Sequence, residues 1–214
     1  MAIIMKKIKK QFGFTLLELL MVAAIFSITV LVSVDLFFTI AKLQKRVTAI
    51  QRVESDARFT MESMVREARM GMIDYDYYNI NSIKLLTTDT PPKIKPVNVL
   101  ATRDQDGNLT VYRLVGSVIY VCAINADDLA TKTCDLTSTT NWQPVTPDEI
   151  EILKLDFYIT PDQNPFLLDD TNKYPSNNQP KVTIVFQSRS LSEELAGITN
   201  INLQTTVSSR IYKR

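Results

Sequence analysis

Few side chains in this sequence could do chemistry. It contains no histidine, which excludes Ser–His and Cys–His nucleophile pairs, histidine general bases and histidine-ligated metals. Its two cysteines, Cys122 and Cys134, cannot build a four-thiolate zinc or iron–sulfur site. No spacing of the carboxylates specifies an acid–base pair. We therefore predict no catalytic residue, no cofactor and no metal. One carboxylate, Glu18, is chemically out of place.

Glu18 is the single charged residue in the 21 residues from 14 to 34. A helix of that length spans roughly 32 Å, the thickness of the hydrocarbon core of a bilayer. A carboxylate in such a span costs up to about 3 kcal/mol and indicates a functional site, whereas at the headgroup level it would merely be solvated. A secretory signal peptide fits less well, because the run is long and no small-x-small cleavage site follows it. The basic residues before the run predict a cytoplasmic N-terminus. They are Lys6, Lys7, Lys9 and Lys10.

The residues around Glu18 read Gly13-Phe14-Thr15-Leu16-Leu17-Glu18-Leu19-Leu20. This segment resembles the processing site of type IV prepilins and type II secretion pseudopilins, in which a short basic leader, a Gly, an aromatic residue, a Glu four positions later and a membrane helix follow one another. The resemblance implies cleavage between Gly13 and Phe14 by a membrane aspartyl prepilin peptidase, and N-methylation of Phe14. It also implies that Glu18 pairs with the N-terminal amine of a neighbouring subunit. Either charge alone would cost several kcal/mol in a low-dielectric core, so such pairing would fix the axial register of the stack.

The helix is predicted to continue beyond the membrane span. No glycine or proline lies between residues 14 and 70, and Gly71 is a plausible stop. In the second half, apolar residues recur at steps of three, four and seven and form one stripe, with Glu54 the single gap. A coiled-coil seam with another chain is the alternative reading of the stripe. Asp35, where the apolar run ends, is expected to be solvated or to contact another subunit. The stripe consists of Leu43, Val47, Ile50, Ala57, Met61, Met64 and Ala68.

The remaining sequence reads as short strands and turns. All nine prolines fall in this part, and several segments alternate between apolar and polar residues. An amphipathic helix is the natural cover for one face of such strands, so we predict an α+β, pilin-like fold with one long N-terminal helix on a mostly antiparallel sheet. The predicted strands are 82–87, 97–103, 109–115, 118–124, 150–160, 181–188 and 201–211. The predicted divisions are a cleaved leader (1–13), a transmembrane or fibre-core half-helix (14–41), an amphipathic half-helix (42–72) and an extracytoplasmic β-rich domain (73–214).

Two acidic segments could be mistaken for calcium sites. In Asp104-Gln-Asp106-Gly107-Asn108 the glycine is misplaced for an EF-hand and no bidentate Glu follows, so a hairpin turn is the better interpretation. The cluster of Asp169, Asp170 and Asn172 is read in the same way, first as a solvated loop and second as a metal site.

Cys122 and Cys134 flank a polar loop on the expected outer side of the membrane. Oxidation is favoured there, so we predict a disulfide, with free thiols as the alternative. Near the end of the long helix, Tyr75, Tyr77 and Tyr78 are expected to pack between helix and sheet, and a binding platform is the alternative.

The sequence as a whole predicts a structural subunit rather than an enzyme. Lys+Arg number 24 and Asp+Glu 23, so there is no electrostatic signature for nucleic acid. The resemblance implies prepilin peptidase, other pilin or pseudopilin subunits, an inner-membrane assembly platform and membrane lipid as partners. It implies a single-pass location in the inner membrane, and then in a filament. Length and a C-terminal likeness to larger minor pilins and J-type pseudopilins favour a minor subunit. A membrane-anchored or tip-located adhesin is the alternative. Pilus, secretion and DNA-uptake systems fit the sequence equally.

Overall fold

The computed structural model of the protein describes residues 13–168, 174, 178–192 and 199–210. The chain divides into two compact units, Met1–Val47 and Thr48–Arg214. A single helix, α1, covers Leu16–Met70 and so contributes to both units. Two residues fewer are helical at its start than the sequence predicted, because Phe14 and Thr15 precede the first helical residue.

The described part of the first unit is helical from residue 16 onward, and every side chain from 13 to 40 is exposed. By length and composition this helix is apolar enough to cross a membrane, and none of its most apolar stretch is buried. Such a surface needs an apolar surrounding from outside the chain, since water disfavours so much continuous apolar area.

The second unit combines residues 48–70 of α1 with two antiparallel sheets. The first sheet has the strand order β1-β2-β3-β4-β5 and the second β6-β7-β8, where the sequence had predicted one sheet. A 3₁₀ turn at Ala126–Asp128 follows β4. The elements after α1 are β1 (Met72–Ile73), α2 (Tyr75–Ile80), β2 (Val99–Arg103), β3 (Leu109–Val115), β4 (Val118–Ile124), β5 (Trp142–Pro144), β6 (Ile150–Thr160), β7 (Lys181–Ser190) and β8 (Ile201–Ser208).

A backbone bridge joins the two sheets into one core. Val97 and Phe157 exchange two N–H···O=C bonds of 3.0 and 2.8 Å, which link the segment before β2 to the middle of β6. Phe157 and Phe186 have no exposed surface and belong to the hydrophobic core that the strands share with α1. The long helix on antiparallel sheets confirms the predicted α+β, pilin-like architecture.

The face that α1 buries differs from the predicted stripe. Leu43 and Val47 are exposed, whereas Val53 and Thr60, which the apolar pattern omitted, are buried. Thr60 can be buried because its hydroxyl donates to the Asp56 carbonyl at 2.8 Å, which satisfies the polar group within the helix. The buried residues of α1 are Val53, Ala57, Thr60, Met64 and Ala68.

Two predicted strands need correction. Residues 82–87 form no strand, and Leu86 makes only an isolated bridge to Ile94. The last strand ends at Ser208, so the predicted continuation is wrong at Ser209 and Arg210, and Ile211 lies outside the described residues. The first predicted strand began at residue 82, and the short helix α2 before it was not predicted.

The end of α1 is fixed by close packing at Gly71. A Cβ at this position would lie 3.0 Å from the Glu67 carbonyl oxygen and 3.2 Å from the Arg103 carbonyl oxygen, so only glycine fits without backbone movement. The Ser209 hydroxyl donates to the Gly71 carbonyl at 2.6 Å, and the Arg210 N–H donates to the Arg69 carbonyl at 2.8 Å. The C-terminal segment thereby satisfies carbonyls that the helix end leaves unpaired.

Candidate processing and assembly site

Gly13 and Phe14 lie in non-helical backbone just before α1. A Cβ on Gly13 would meet nothing within 4 Å, and the Phe14 side chain is 77% exposed. A peptidase needs an exposed peptide bond outside regular secondary structure, and the Gly13–Phe14 bond meets both conditions. The structure therefore leaves the expected cleavage point accessible within the described part of the chain.

Thr15 caps the start of α1. The Glu18 N–H donates to the Thr15 hydroxyl oxygen at 3.2 Å, and the Leu19 N–H donates to the Thr15 carbonyl at 3.2 Å. Thr at the cap and Glu three residues later form the sequence pattern of a capping box. This role was not predicted from the sequence, although the Thr-x-x-Glu spacing indicates it.

Two sources of positive charge would stabilise a carboxylate at the position of Glu18. It lies in the first turn of α1, where the helix end carries roughly half a positive charge. Cleavage before Phe14 would add an ammonium directly beside this end, which increases the local positive charge. Among the described residues the carboxylate forms no ion pair and no hydrogen bond, so it stays available to a group from another chain.

Other polar side chains in the apolar part of α1 are satisfied within the helix. Each donates its hydroxyl to the carbonyl four residues earlier, which removes the cost of an unpaired polar group in hydrocarbon. They are Ser27 (2.8 Å), Thr29 (2.8 Å), Ser33 (2.7 Å) and Thr39 (2.9 Å). Asp35 resembles Glu18 in having no partner within the described residues. The two carboxylates are therefore the exceptions in this part of the helix.

Cys122 and Cys134 form a disulfide with a Cα–Cα distance of 5.8 Å. The bond joins β4 to the polar loop that precedes β5. Three further groups hold the loop: the Tyr77 hydroxyl donates to the Cys134 carbonyl at 2.7 Å, Arg113 donates to two loop carbonyls, and the Trp142 ring N–H donates to the Asp135 carbonyl at 3.0 Å.

Arg113 and Trp142 were not singled out from the sequence. The Arg113 guanidinium lies 3.9 Å from the centre of the Trp142 ring, which is a cation–π contact. The residues come from different strands, β3 and β5, so no local pattern could have paired them. A second tertiary pair was also missed: Asp74 caps α2 by accepting the Tyr77 N–H, and it forms an ion pair of 2.6 Å with Arg103.

The three tyrosines after α1 are core residues. Tyr75, Tyr77 and Tyr78 are all buried on α2, which supports the packing interpretation over a binding platform. Burial raises the pKa of the Tyr77 hydroxyl to about 12, with Arg113 opposing the shift and Asp135 and Asp74 adding to it. Burial also raises the pKa of Tyr75 and Tyr78.

The Asp104–Asn108 segment is a hairpin turn between β2 and β3. Gly107 adopts a φ of +89°, and both Asp104 carboxylate oxygens accept hydrogen bonds from Asn108, at 2.9 and 2.7 Å. Desolvation alone would raise the pKa of Asp104, but these hydrogen bonds hold it below its ordinary value. The turn interpretation is confirmed. The second candidate, at Asp169, Asp170 and Asn172, lies outside the described residues.

Comparisons with known proteins single out the same end of the chain. No curated protein and no solved structure matches the sequence. The family model described as the prokaryotic N-terminal methylation motif matches residues 8–34, which include the Gly13–Phe14 peptide bond, the cap at Thr15 and Glu18. The motif's family is structural and not catalytic, and the apolar helix fits a membrane-anchored pilin. The chain therefore carries a type IV prepilin-like N-terminal signal.

Proposed function

We propose that the protein is a minor subunit of a type IV filament machine, which serves pilus biogenesis, protein secretion or DNA uptake. Prepilin peptidase removes the leader, residues 1–13, and Phe14 is then N-methylated. Before assembly, residues 14–41 lie in the inner membrane with the N-terminus in the cytoplasm. The β-rich domain from residue 73 onward lies on the extracytoplasmic side. The protein is not an enzyme in this proposal.

The observation that carries the proposal is the position of Glu18. It is a carboxylate in the first turn of an otherwise apolar helix, it lies four residues after Phe14 of the exposed Gly13–Phe14 bond, and it lacks a partner within the described residues. A membrane anchor alone needs no such charge. A charge that must meet a neighbouring chain's amine accounts for its cost.

Assembly follows from the exposed apolar surface. Extraction from the membrane by the assembly platform and its ATPase would expose the first half of α1 unless other helices cover it. Bundling with neighbouring subunits buries that surface again, while van der Waals packing and the Glu18–amine pair select the register. Among the described residues, the second unit has a hydrophobic core of its own. This supports a subunit whose position in the filament is set by its N-terminal helix.

Cleavage is the direct test of processing. A Gly13→Val variant, expressed with its peptidase, should keep residues 1–13, and mass spectrometry of the purified chain should find the full-length mass. The matched control is Gln11→Ala, a change within the leader that leaves the scissile bond intact and should be cleaved normally. Normal cleavage of the Gly13 variant would contradict the proposal.

Filament entry tests the role of Glu18. Glu18→Gln keeps size and hydrogen-bonding capacity but removes the charge. We expect its amount in sheared filaments to fall at least tenfold, with unchanged membrane insertion and unchanged cleavage. Asp35→Asn, a neutralised carboxylate further along the same helix, is the control and should enter filaments. Equal incorporation of Glu18→Gln and the parent would exclude the pairing role.

An adhesin or binding module is the second candidate, and one feature favours it. The loop between β4 and β5 is exposed and polar, yet the disulfide, Tyr77, Arg113 and Trp142 all hold it in place. A loop that is ordered by its flanks can present side chains to a ligand at low entropic cost. Replacing its exposed residues Thr137, Thr139 and Thr140 with glycine and serine should abolish surface attachment, but not filament assembly, if this function is the main one.

A further inference from the structure

Three cations lie on one side of α1 just beyond its apolar run. Lys42, Lys45 and Arg46 have the spacing i, i+3, i+4, which places them on one face of a helix. All three side chains are exposed. Within the part of the chain that the structure describes, none of them forms an ion pair or a side-chain hydrogen bond. We call these three residues the basic face.

The charges near the basic face have one sign. No carboxylate occurs between Asp35 and Glu54. Asp35 lies on the same side of the helix as Lys42, but seven residues earlier, which is about 10 Å along the axis and too far for an ion pair. The basic face is therefore a concentrated positive charge in a stretch of α1, residues 36–53, that contains no carboxylate.

The height of the basic face matches a bilayer surface. Lys42 follows Val34 by eight residues, or about 12 Å of helix. The polar headgroup layer adds about 5 to 8 Å on each side of the hydrocarbon core. Long basic side chains extend toward the interface along their apolar stems, so their charged ends can reach the phosphate layer.

Apolar residues adjoin the basic face. Leu43 is 59% exposed and Val47 is 45% exposed, and they follow Lys42 and Arg46 by one position. Water disfavours these side chains, whereas the boundary between headgroups and acyl chains accommodates an apolar and a basic side of one helix together. The predicted amphipathic stripe began at Leu43, yet the described residues leave Leu43 and Val47 exposed. A contact with something other than the second unit would account for two apolar residues at this position.

Cleavage of the leader, which rests on the proposed function, leaves the basic face as the one cluster of cationic side chains near the span. Cleavage after Gly13 removes Lys6, Lys7, Lys9 and Lys10 together. The net charge of the chain then falls from +1 to −3. The charged side chains left close to the span are then Glu18, Asp35 and the basic face, so cationic side chains remain on the outer flank alone, and the other cation is the new N-terminal amine.

We propose that Lys42, Lys45 and Arg46 bind the phosphates of anionic phospholipids in the outer leaflet of the inner membrane. This contact holds the processed subunit at a defined depth after its leader lysines are gone. The anionic headgroup is the occupant that the charge selects, because a zwitterionic headgroup offers no net negative charge. Binding has to be released when the subunit leaves the membrane, which charge-based contacts permit.

Lipid selectivity of the full-length chain tests the proposal. The parent carries Lys6→Gln, Lys7→Gln, Lys9→Gln and Lys10→Gln, so that the leader contributes no cation. It is reconstituted in phosphatidylcholine vesicles with spin-labelled phosphatidylglycerol or spin-labelled phosphatidylcholine, and the motionally restricted fraction of each label is measured by electron paramagnetic resonance. The test variant adds Lys42→Gln, Lys45→Gln and Arg46→Gln. The matched control instead adds Arg58→Gln, Arg66→Gln and Arg69→Gln, which removes equal charge further along α1.

We expect the parent to prefer phosphatidylglycerol over phosphatidylcholine. Each basic residue at the surface should raise the association constant for phosphatidylglycerol roughly fivefold. The test variant should lose at least tenfold of that preference, and the control should stay within twofold of the parent. High salt should weaken the preference of the parent, since exposed charges are screened.

An unchanged preference in the test variant would overturn the proposal, as would an equal loss in the control. If the test variant keeps the preference but fails to enter filaments, the basic face binds a carboxylate of a neighbouring protein instead. The lipid measurement uses the unprocessed chain, so its failure leaves cleavage and the Glu18 pairing standing. Failure of the Gly13 test would in turn leave the lipid result unaffected.

Discussion

The two parts of α1 have similar apolar residues and opposite surroundings. In residues 13–40 every side chain is exposed, including Phe26 at 67%. In residues 48–70 one face is buried, and Ala57 and Met64 have no exposed surface. The sheets supply the apolar surrounding for the second part. Within the described residues the first part has no such cover, and its length and composition are those of a helix that can cross a membrane.

The two units also satisfy their polar groups differently. In the first unit the Ser and Thr hydroxyls bond to carbonyls of their own helix, at 2.7 to 2.9 Å. In the second unit the important polar contacts join distant segments, for example Arg103 to Asp74 and Arg113 to the loop before β5. A helix that is complete in itself can move between lipid and protein surroundings. A network of tertiary contacts cannot, and this would suit a domain that keeps one structure during the proposed assembly.

Truncating one phenylalanine in each unit should give the largest contrast. Phe157→Ala leaves a cavity where the side chain had no exposed surface, so we expect a loss of about 3 to 5 kcal/mol in the unfolding free energy of the second unit. Phe26→Ala should change it by less than about 0.5 kcal/mol. Unfolding of the full chain in detergent micelles can be followed by Trp142, the single tryptophan of the sequence. Equal effects of the two substitutions would remove the distinction between the units.

Opening the disulfide should have the next largest effect. The bond closes a loop with a sequence separation of 12, and its removal should cost about 3 kcal/mol of unfolding free energy in the chain-entropy model. The double variant Cys122→Ala and Cys134→Ala is compared with the wild type after reduction. If reduction and the double variant lose the same unfolding free energy, the cross-link accounts for the loss. A larger loss in the variant reports the packing of the two cysteine side chains in addition. No loss on reduction would mean that Tyr77, Arg113 and Trp142 suffice to hold the loop.

Local patterns predicted the elements whose partners are close in sequence. Strands β3, β4 and β6 were predicted residue for residue, because alternation and turn residues determine them. The connection between the two sheets depends on the Val97–Phe157 bridge, whose two residues are sixty positions apart in the sequence, so no local pattern predicts it. The short helix α2 depends on the Asp74 cap and on tyrosines whose β propensity suggests a strand.

The candidate site was predictable for a different reason. Gly13, Phe14 and Glu18 lie within six consecutive residues, so one motif contains them all. The basic face escaped notice because its residues are ordinary surface cations. Only their exposure, the exposure of Leu43 and Val47, and the lack of a counter-charge among the described residues distinguish them.

Alkaline pH should weaken the second unit through its buried tyrosines. The pKa of Tyr77 is raised to about 12 in the folded protein, above an ordinary value of 10, so the unfolded chain releases its proton first. Stability is fully present below pH 10 and is lost as the pH rises through 12. Tyr77→Phe should cost about 1 kcal/mol at pH 7, because the Cys134 carbonyl loses its donor, yet it should lose less than the wild type between pH 10 and 12. Equal alkaline slopes for both proteins would contradict this assignment. Some slope should persist, since burial also raises the pKa of Tyr75, Tyr78 and Tyr112.

The smallest effect should come from the cap of α1, and it separates two roles of Glu18. Thr15→Ala removes the hydroxyl that accepts the Glu18 N–H and should destabilise the first turn by about 1 kcal/mol. Amide hydrogen exchange of residues 16–19 in micelles should therefore rise several-fold. Thr15→Ser keeps the acceptor and should restore protection. Filament entry should fall only slightly in Thr15→Ala, because the Glu18 charge remains. If Thr15→Ala blocked filament entry as completely as Glu18→Gln, the two residues would act together through the capping box, and an ordered helix start, more than a charge pair, would decide assembly.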